Sequence, residues 1–204
     1  MLIAGVIVAV VLLVAVVPVR RTRFRFRPLF EAACEVAVGE RRLVAYSGHR
    51  KVIGRADPLK REDMAVITAS RTWIRALCEV RVDGRPLLAS GGRDRIVRLW
   101  DPRTWEQVRA PERGTGPVYA LCRADTEDRP LPVAGGDGPG TAVWDPFTGE
   151  PTDILGMDLA GILDAHGWVR AACQVRPSEG PPLIVTAGYD DGARIWDVAK
   201  GIGA

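Results

Sequence analysis

The side chains that could do chemistry are few. They are His49 and His166, the thiols of Cys34, Cys78, Cys122 and Cys173, the carboxylates of Asp94, Asp190 and Asp191, and the glycine-rich run from Gly135 to Gly140. A histidine beside a carboxylate would suit general acid–base work. Grouped thiols would suit a zinc ion or a disulfide framework. A glycine loop opening a helix would cradle phosphate. Each of these patterns is left incomplete. The chain has no Cys-x-x-Cys pair and no G-x-S-x-G, H-E-x-x-H, Walker or G-x-G-x-x-G motif. His49 falls in a turn, and the run Gly135–Gly140 joins two strand-forming stretches instead of opening a helix. The carboxylates sit at turns, where solvated turn chemistry explains them first. No catalytic residue, metal or cofactor is expected, and the chain is read as a non-enzyme.

What the cysteines do carry is a period. Cys34, Cys78 and Cys122 are 44 residues apart and Cys173 follows after 51. Asp57-Pro58, Asp101-Pro102 and Asp145-Pro146 also step by 44, and Asp197 comes 52 later. Self-similarity at this period means a row of equivalent supersecondary units. The four thiols then occupy one equivalent position, in Ala-Ala-Cys, Ala-Leu-Cys, Ala-Leu-Cys and Ala-Ala-Cys. That is the place of a small apolar strand residue in a reducing compartment rather than of a bridge.

The elements that must position these residues are short strands. In the clearest copy, IRALCEV, PLLAS and IVRLW are separated by Asp83-Gly84-Arg85 and by Gly91 to Arg95, and the copy ends on Asp101-Pro102. Runs of four to seven residues with such punctuation form a meander of hairpins. They are apolar on both faces, as in sheets covered on either side. No helical period fits them.

The run from Leu87 to Asp101, LLASGGRDRIVRLWD, resembles the signature of the WD-repeat β-propeller family, and Trp100-Asp101, Trp144-Asp145 and Trp196-Asp197 repeat its ending. The resemblance covers residues 30–199. It implies an all-β fold of four-stranded blades around an axis, each sequence repeat beginning with the outer strand of the preceding blade. Four units are expected, at about 30–63, 64–110, 111–151 and 152–201, within a propeller domain spanning 28–204. The resemblance also implies a hydrogen-bonded structural set of Asp, Ser or Thr, His and Trp in each blade. The last repeat carries it as Asp190, Thr186, His166 and Trp196. The second keeps Ser90, Asp94 and Trp100, with Ser70 in place of His. The third keeps only Trp144, and the first has Tyr46, Arg50 and Ala56 there. This erosion implies modest stability for the N-terminal and middle blades.

Ahead of the repeats, residues 1–19 (MLIAGVIVAVVLLVAVVPV) lack any charge, and Arg20, Arg21, Arg23, Arg25 and Arg27 follow directly. Nineteen helical residues span about 28 Å, close to the hydrocarbon thickness. The expectation is a single transmembrane helix over 1–19 and a basic juxtamembrane segment over 20–27, with an export signal or a wrongly assigned start codon as the alternatives. The positive-inside rule then puts the propeller in the cytoplasm. Without those five arginines, 23 bases face 25 acids, a net charge of −2. Such a domain gives no reason to expect nucleic acid as a partner.

Four units are fewer than the family's usual ring, and after Trp196 only eight residues remain. The fourth blade is therefore expected to lack its outer strand, leaving an open or partial propeller. Three solutions stand side by side. Arg23 to Arg27 could add as a closing strand, a second copy could associate through the open blade faces, or the chain is part of a larger propeller. The connection from Glu150 to Gly167 is longer than its counterpart by seven residues and carries Ile154, Leu155, Met157, Leu159, Ile162 and Leu163. Insertions in repeat arrays map to loops on one face, so this segment is either a locally packed loop or a loop for a partner. The function expected is a non-catalytic, membrane-tethered scaffold for protein–protein interaction. The alternative is a truncated or subunit-dependent fragment of a larger propeller-containing signalling protein, and a propeller hydrolase is the remote third.

Overall fold

The computed structural model describes residues 30–48, 51–58, 62–70, 72–109, 116–125, 130–136, 142–143, 169–189, 192–197 and 202–203. All the regular elements among them are strands. They form four antiparallel sheets in chain order. The first holds β1 (Phe30–Val38), β2 (Arg41–Gly48), β3 (Val52–Asp57) and β4 (Glu62–Thr68). The second holds β5 (Ile74–Val82), β6 (Arg85–Gly92), β7 (Arg98–Trp100) and β8 (Gln107–Arg109). In the third are β9 (Val118–Asp125), β10 (Pro130–Gly136) and β11 (Ala142–Val143). In the fourth are β12 (Val169–Val175), β13 (Leu183–Gly188), β14 (Ala193–Asp197) and β15 (Ile202–Gly203). Every sheet is a simple meander.

Local chemistry explains the meander. Asp83 (φ 51°) and Gly84 (φ 73°) form the two-residue turn between β5 and β6, where a hairpin's twist demands left-handed backbone at both positions. Gly39 (φ 64°) opens the matching turn between β1 and β2. The first strand of each sheet carries a register shift at the same place, opposite Gly48, Gly92, Gly136 and Gly188. A Cβ on Gly92 would lie 2.1 Å from the Trp73 carbonyl oxygen, so that position excludes a side chain.

Successive sheets pack through their first strands: β1 lies against β5, β5 against β9, and β9 against β12. Each sheet therefore has a leading face toward its predecessor and a trailing face toward its successor. The trailing face of the first sheet (Val36, Leu43, Ala45, Ile53) meets the leading face of the second (Ile74, Leu77, Leu88, Trp100). The trailing face of the second (Cys78, Val80, Ala89, Leu99) meets Val118, Leu121 and Ala134 of the third. Val36, Val80, Leu88 and Ile53 are wholly buried, each contributing about 1.5–3 kcal/mol of transfer free energy. Burial on both faces is the reason the strands read as continuous apolar runs.

One expectation is corrected. The fourth sheet does have a fourth strand, because Ile202–Gly203 pairs with Trp196 and Asp197 of β14. The two residues pair with the C-terminal end of β14 only. The transmembrane helix expected over residues 1–19 and the basic segment 20–27 lie outside the described residues. Among the described residues no helix is long and apolar enough to cross a membrane.

Candidate functional site

Trp100 is buried, and its indole N–H, a donor that must be satisfied, donates to Ser90 Oγ at 2.8 Å. Trp196 repeats the geometry with Thr186 Oγ1, also at 2.8 Å. Strand pairing makes this possible: Leu88 is opposite Trp100, and Ile184 opposite Trp196, so the hydroxyl two residues on shares the indole's face. Asp94 stands at the turn beyond β6. It accepts from Ser70 Oγ at 2.9 Å and from Arg98 at 2.7 Å. Ser70 thus supplies a donor at the place where the family pattern puts a histidine. Trp144, His166, Asp190, Arg50 and the segment bearing Ile154, Leu155, Met157, Leu159, Ile162 and Leu163 lie outside the described residues.

The first sheet solves the same space differently. Tyr46 is buried, and its ring covers Gly54, where a Cβ would come within 2.3 Å of Tyr46 Cζ. A large residue on β2 with Gly54 and Ala56 on β3 replaces the Ser90, Arg98 and Trp100 of the second sheet. The copy is worn in sequence and filled in space.

Charged contacts recur with the period as well. Arg41 pairs with Asp57, and Arg85 with Asp101, two equivalent pairs 44 residues apart. Burial alone would raise the Asp101 carboxyl. The backbone N–H of Arg103, the Arg85 guanidinium and the backbone N–H of Thr104 together hold it below the ordinary carboxylate range. Asp125 is likewise held low against its burial by Arg123, Gln174 and Arg176. The arginine-to-aspartate spacing of 16 recurs as Arg129 and Asp145 in the third unit, a signal legible in the sequence beside the Asp-Pro step.

Two ladders connect sheet to sheet along the first strands. At two junctions the residue after the cysteine reaches the backbone of the preceding sheet: Glu79 Oε2 accepts the N–H of Ala37 at 2.6 Å, and Gln174 Oε1 accepts the N–H of Asp125 at 2.8 Å. Between the second and third sheets that position is Arg123, which has no acceptor and pairs with Asp125 on its own strand at 2.7 Å. The residue three before each cysteine forms the second ladder. Arg75 bonds Glu31 at 2.6 Å, and the Arg170 guanidinium lies 4.4 Å from the centre of the Tyr119 ring.

The thiols remain unbridged. Burial, with Glu79 and Glu35 adding, pushes the Cys34 thiol up to about 12, and burial also pushes Cys78 and Cys122 well up. Cys78 and Cys122 are buried, the setting of structural rather than reactive thiols. Cys173 departs from the packed position expected for it: it is exposed, because the trailing face of the fourth sheet has no neighbour among the described residues. Among the described residues no three His, Cys, Asp or Glu side chains gather as a metal set.

The family model for the WD domain, G-beta repeat, matches residues 62–101 and 157–197. The chain carries WD repeats. The first match opens on β4 of the first sheet and closes at Asp101 after β7 of the second, so the WD unit straddles two sheets. Two solved structures share the propeller-like arrangement. One is U3-55K, with a TM-score of 0.65 at 14% identity over 88% of this chain and 52% of that one. The other is the computationally designed Ika4 protein, with a TM-score of 0.58 at 20% identity over 84% of this chain and 92% of that one. The chain spans about half the length of U3-55K. No curated protein matches it.

Proposed function

We propose that this WD-repeat chain is a non-catalytic scaffold for protein–protein interaction. In this reading residues 1–19 tether it to a membrane, the arginines that follow face the cytoplasm, and the sheets stand on the cytoplasmic side. The observation that carries the reading is the WD-repeat array itself, in which the distinctive side chains (Trp100, Ser90, Asp94, Trp196, Thr186) are engaged in hydrogen bonds that fix strands and turns. That leaves recognition to loops and to uncovered faces. The partners are proteins, including a second copy of the chain, and neither nucleic acid nor a cofactor is invoked.

The longer connection through Ile154, Leu155, Met157, Leu159, Ile162 and Leu163 is the loop assigned to the partner. Replacing Pro151–Leu163 by a short turn should abolish proximity labelling of partners in cells and leave the far-UV circular dichroism unchanged. Labelling that persists would remove the loop from the interaction. Alkaline carbonate extraction tests the tether, and release of the chain into the supernatant would refute it. The half-length match to U3-55K supports a second reading, a piece of a larger propeller-containing signalling protein. A reading frame continuing past Ala204 with further units of this period would favour it.

A further inference from the structure

The trailing face of the fourth sheet has the composition of an interface and the exposure of a surface. Position by position it repeats the trailing face of the second sheet. Cys173 stands for Cys78, Val175 for Val80, and Ile195 for Leu99, the registers being set by the cysteines and by Trp196 and Trp100. In the second sheet Val80 and Leu99 are 0% and 3% exposed beneath the third sheet; in the fourth, Val175 and Ile195 are 42% and 47% exposed. Side chains of this kind, placed at the positions that bury a neighbour elsewhere in the array, mark a face built to be covered.

The leading face of the first sheet has what such a face meets. At two of the three sheet junctions the residue after a cysteine accepts the backbone N–H three residues past the preceding cysteine. Glu35 holds the acceptor position in the first sheet and Arg176 the N–H position in the fourth. Glu35 has no sheet before it among the described residues; its side chain is 41% exposed, against 11% for Glu79, which does have one. Val44, opposite Glu35 on the same face, is half-buried where its counterpart Leu88 is fully buried. Continuing the ladder would set the Glu35 carboxylate against the backbone N–H of Arg176, whose guanidinium faces the third sheet and pairs with Asp125. β1 and β12 do not pack against each other as successive first strands do, so the chain does not make this junction with itself.

We propose that the trailing face of the fourth sheet docks on the leading face of the first sheet of a second copy, and that two copies close reciprocally into an eight-sheet ring. This names the surfaces of the self-association in the scaffold reading, yet it stands on the sheet packing alone and survives if no other partner is found. The interface is heterologous and closes after two steps, and eight sheets lie within the range that propellers adopt.

The test is the mass of the full chain in a mild detergent, by light scattering with the detergent contribution subtracted. The expected result is two chains of 22.1 kDa each and nothing larger. Val175→Glu with Ile195→Glu, at positions exposed in the single chain, should halve the mass and leave the far-UV circular dichroism unchanged. Val44→Glu on the other face should do the same. Mixing the two variants should restore a dimer, since one intact junction remains between them. As a readout that needs no variant, labelling of Cys173 in the wild type should slow as concentration rises, in step with the mass. A monomer at every concentration overturns the proposal and leaves the face to sheets from another protein. A mass unmoved by the glutamates, a mixture that stays monomeric, or an open-ended ladder of sizes would each overturn it too.

Discussion

Gly91→Ala probes the sheet-to-sheet contact with a single added carbon. Gly91 lies in β6 without a left-handed φ, so the substitution brings no backbone strain of that kind. The new Cβ would lie 2.4 Å from Val118 Cγ1, 2.8 Å from Val118 Cβ and 3.4 Å from Leu121 Cδ1, all in the third sheet. Two of these are far inside van der Waals contact, and overpacking of a closed interior costs about 1–3 kcal/mol. Restricting the unfolded chain returns about 0.4–1 kcal/mol. The net should be a loss of about 1–2 kcal/mol, a fall in Tm of about 2–8 °C for a chain of this size. Val118→Ala, which empties part of a buried site, should cost about 2 kcal/mol alone. It removes the Cγ1 clash and leaves the Cβ clash, so the double variant should be more stable than the sum of the singles by about 1 kcal/mol. Thermal unfolding by circular dichroism, at one fixed protein concentration, measures all four corners of the cycle. If Gly91→Ala raises Tm, or the two changes simply add, the sheets do not meet where Val118 places them. Gly135, whose Cβ would lie 2.6 Å from Val169 Cγ1, should behave the same way one junction on.

Two further outcomes are expected. Ser90→Ala strands the buried Trp100 indole N–H and should cost about 1–3 kcal/mol, as should Thr186→Val beneath Trp196; urea unfolding followed by tryptophan fluorescence reads both, and a change below about 0.5 kcal/mol would remove the hydrogen bonds from the account. The second outcome concerns acid. The Asp101 carboxyl is lower in the folded chain than its unfolded value of about 3.9, so its pairing stabilises the fold above that pH and is lost as pH falls through the depressed folded value. Arg85→Gln should therefore lower Tm at neutral pH and have a shrinking effect below about pH 4; an equal loss at both ends would mean that Arg85 acts by packing alone.

Much of the architecture is legible before any coordinates. A strand has a side-chain period of two and a hairpin turn needs particular residues, so Asp83-Gly84 and the apolar runs around it declare the second sheet locally. The 44-residue step then transfers that assignment to copies as worn as the one containing Ala56 and Arg50. Repetition amplifies a weak local signal because equivalent positions meet equivalent neighbours. This is also why Trp100 with Ser90, and Trp196 with Thr186, could be paired on paper.

Tertiary structure alone decided whatever depends on which face meets which. Nothing in the residue types distinguishes Val80 from Val175, or Glu79 from Glu35. Each pair has the same chemistry and repeat position, and differs only in whether a sheet lies beyond it. Likewise, Tyr46 reads as a lost serine in the sequence and proves to be the filler over Gly54, since volume is shared across strands and is not local to any residue. The short β15 is of the same kind, two residues with no pattern of their own that become a strand because β14 offers an edge. The unit and its number of copies follow from local turn chemistry and periodicity, which residue types alone carry. The order of contacts around the axis, and the faces left over at its ends, came from packing, which no single repeat encodes.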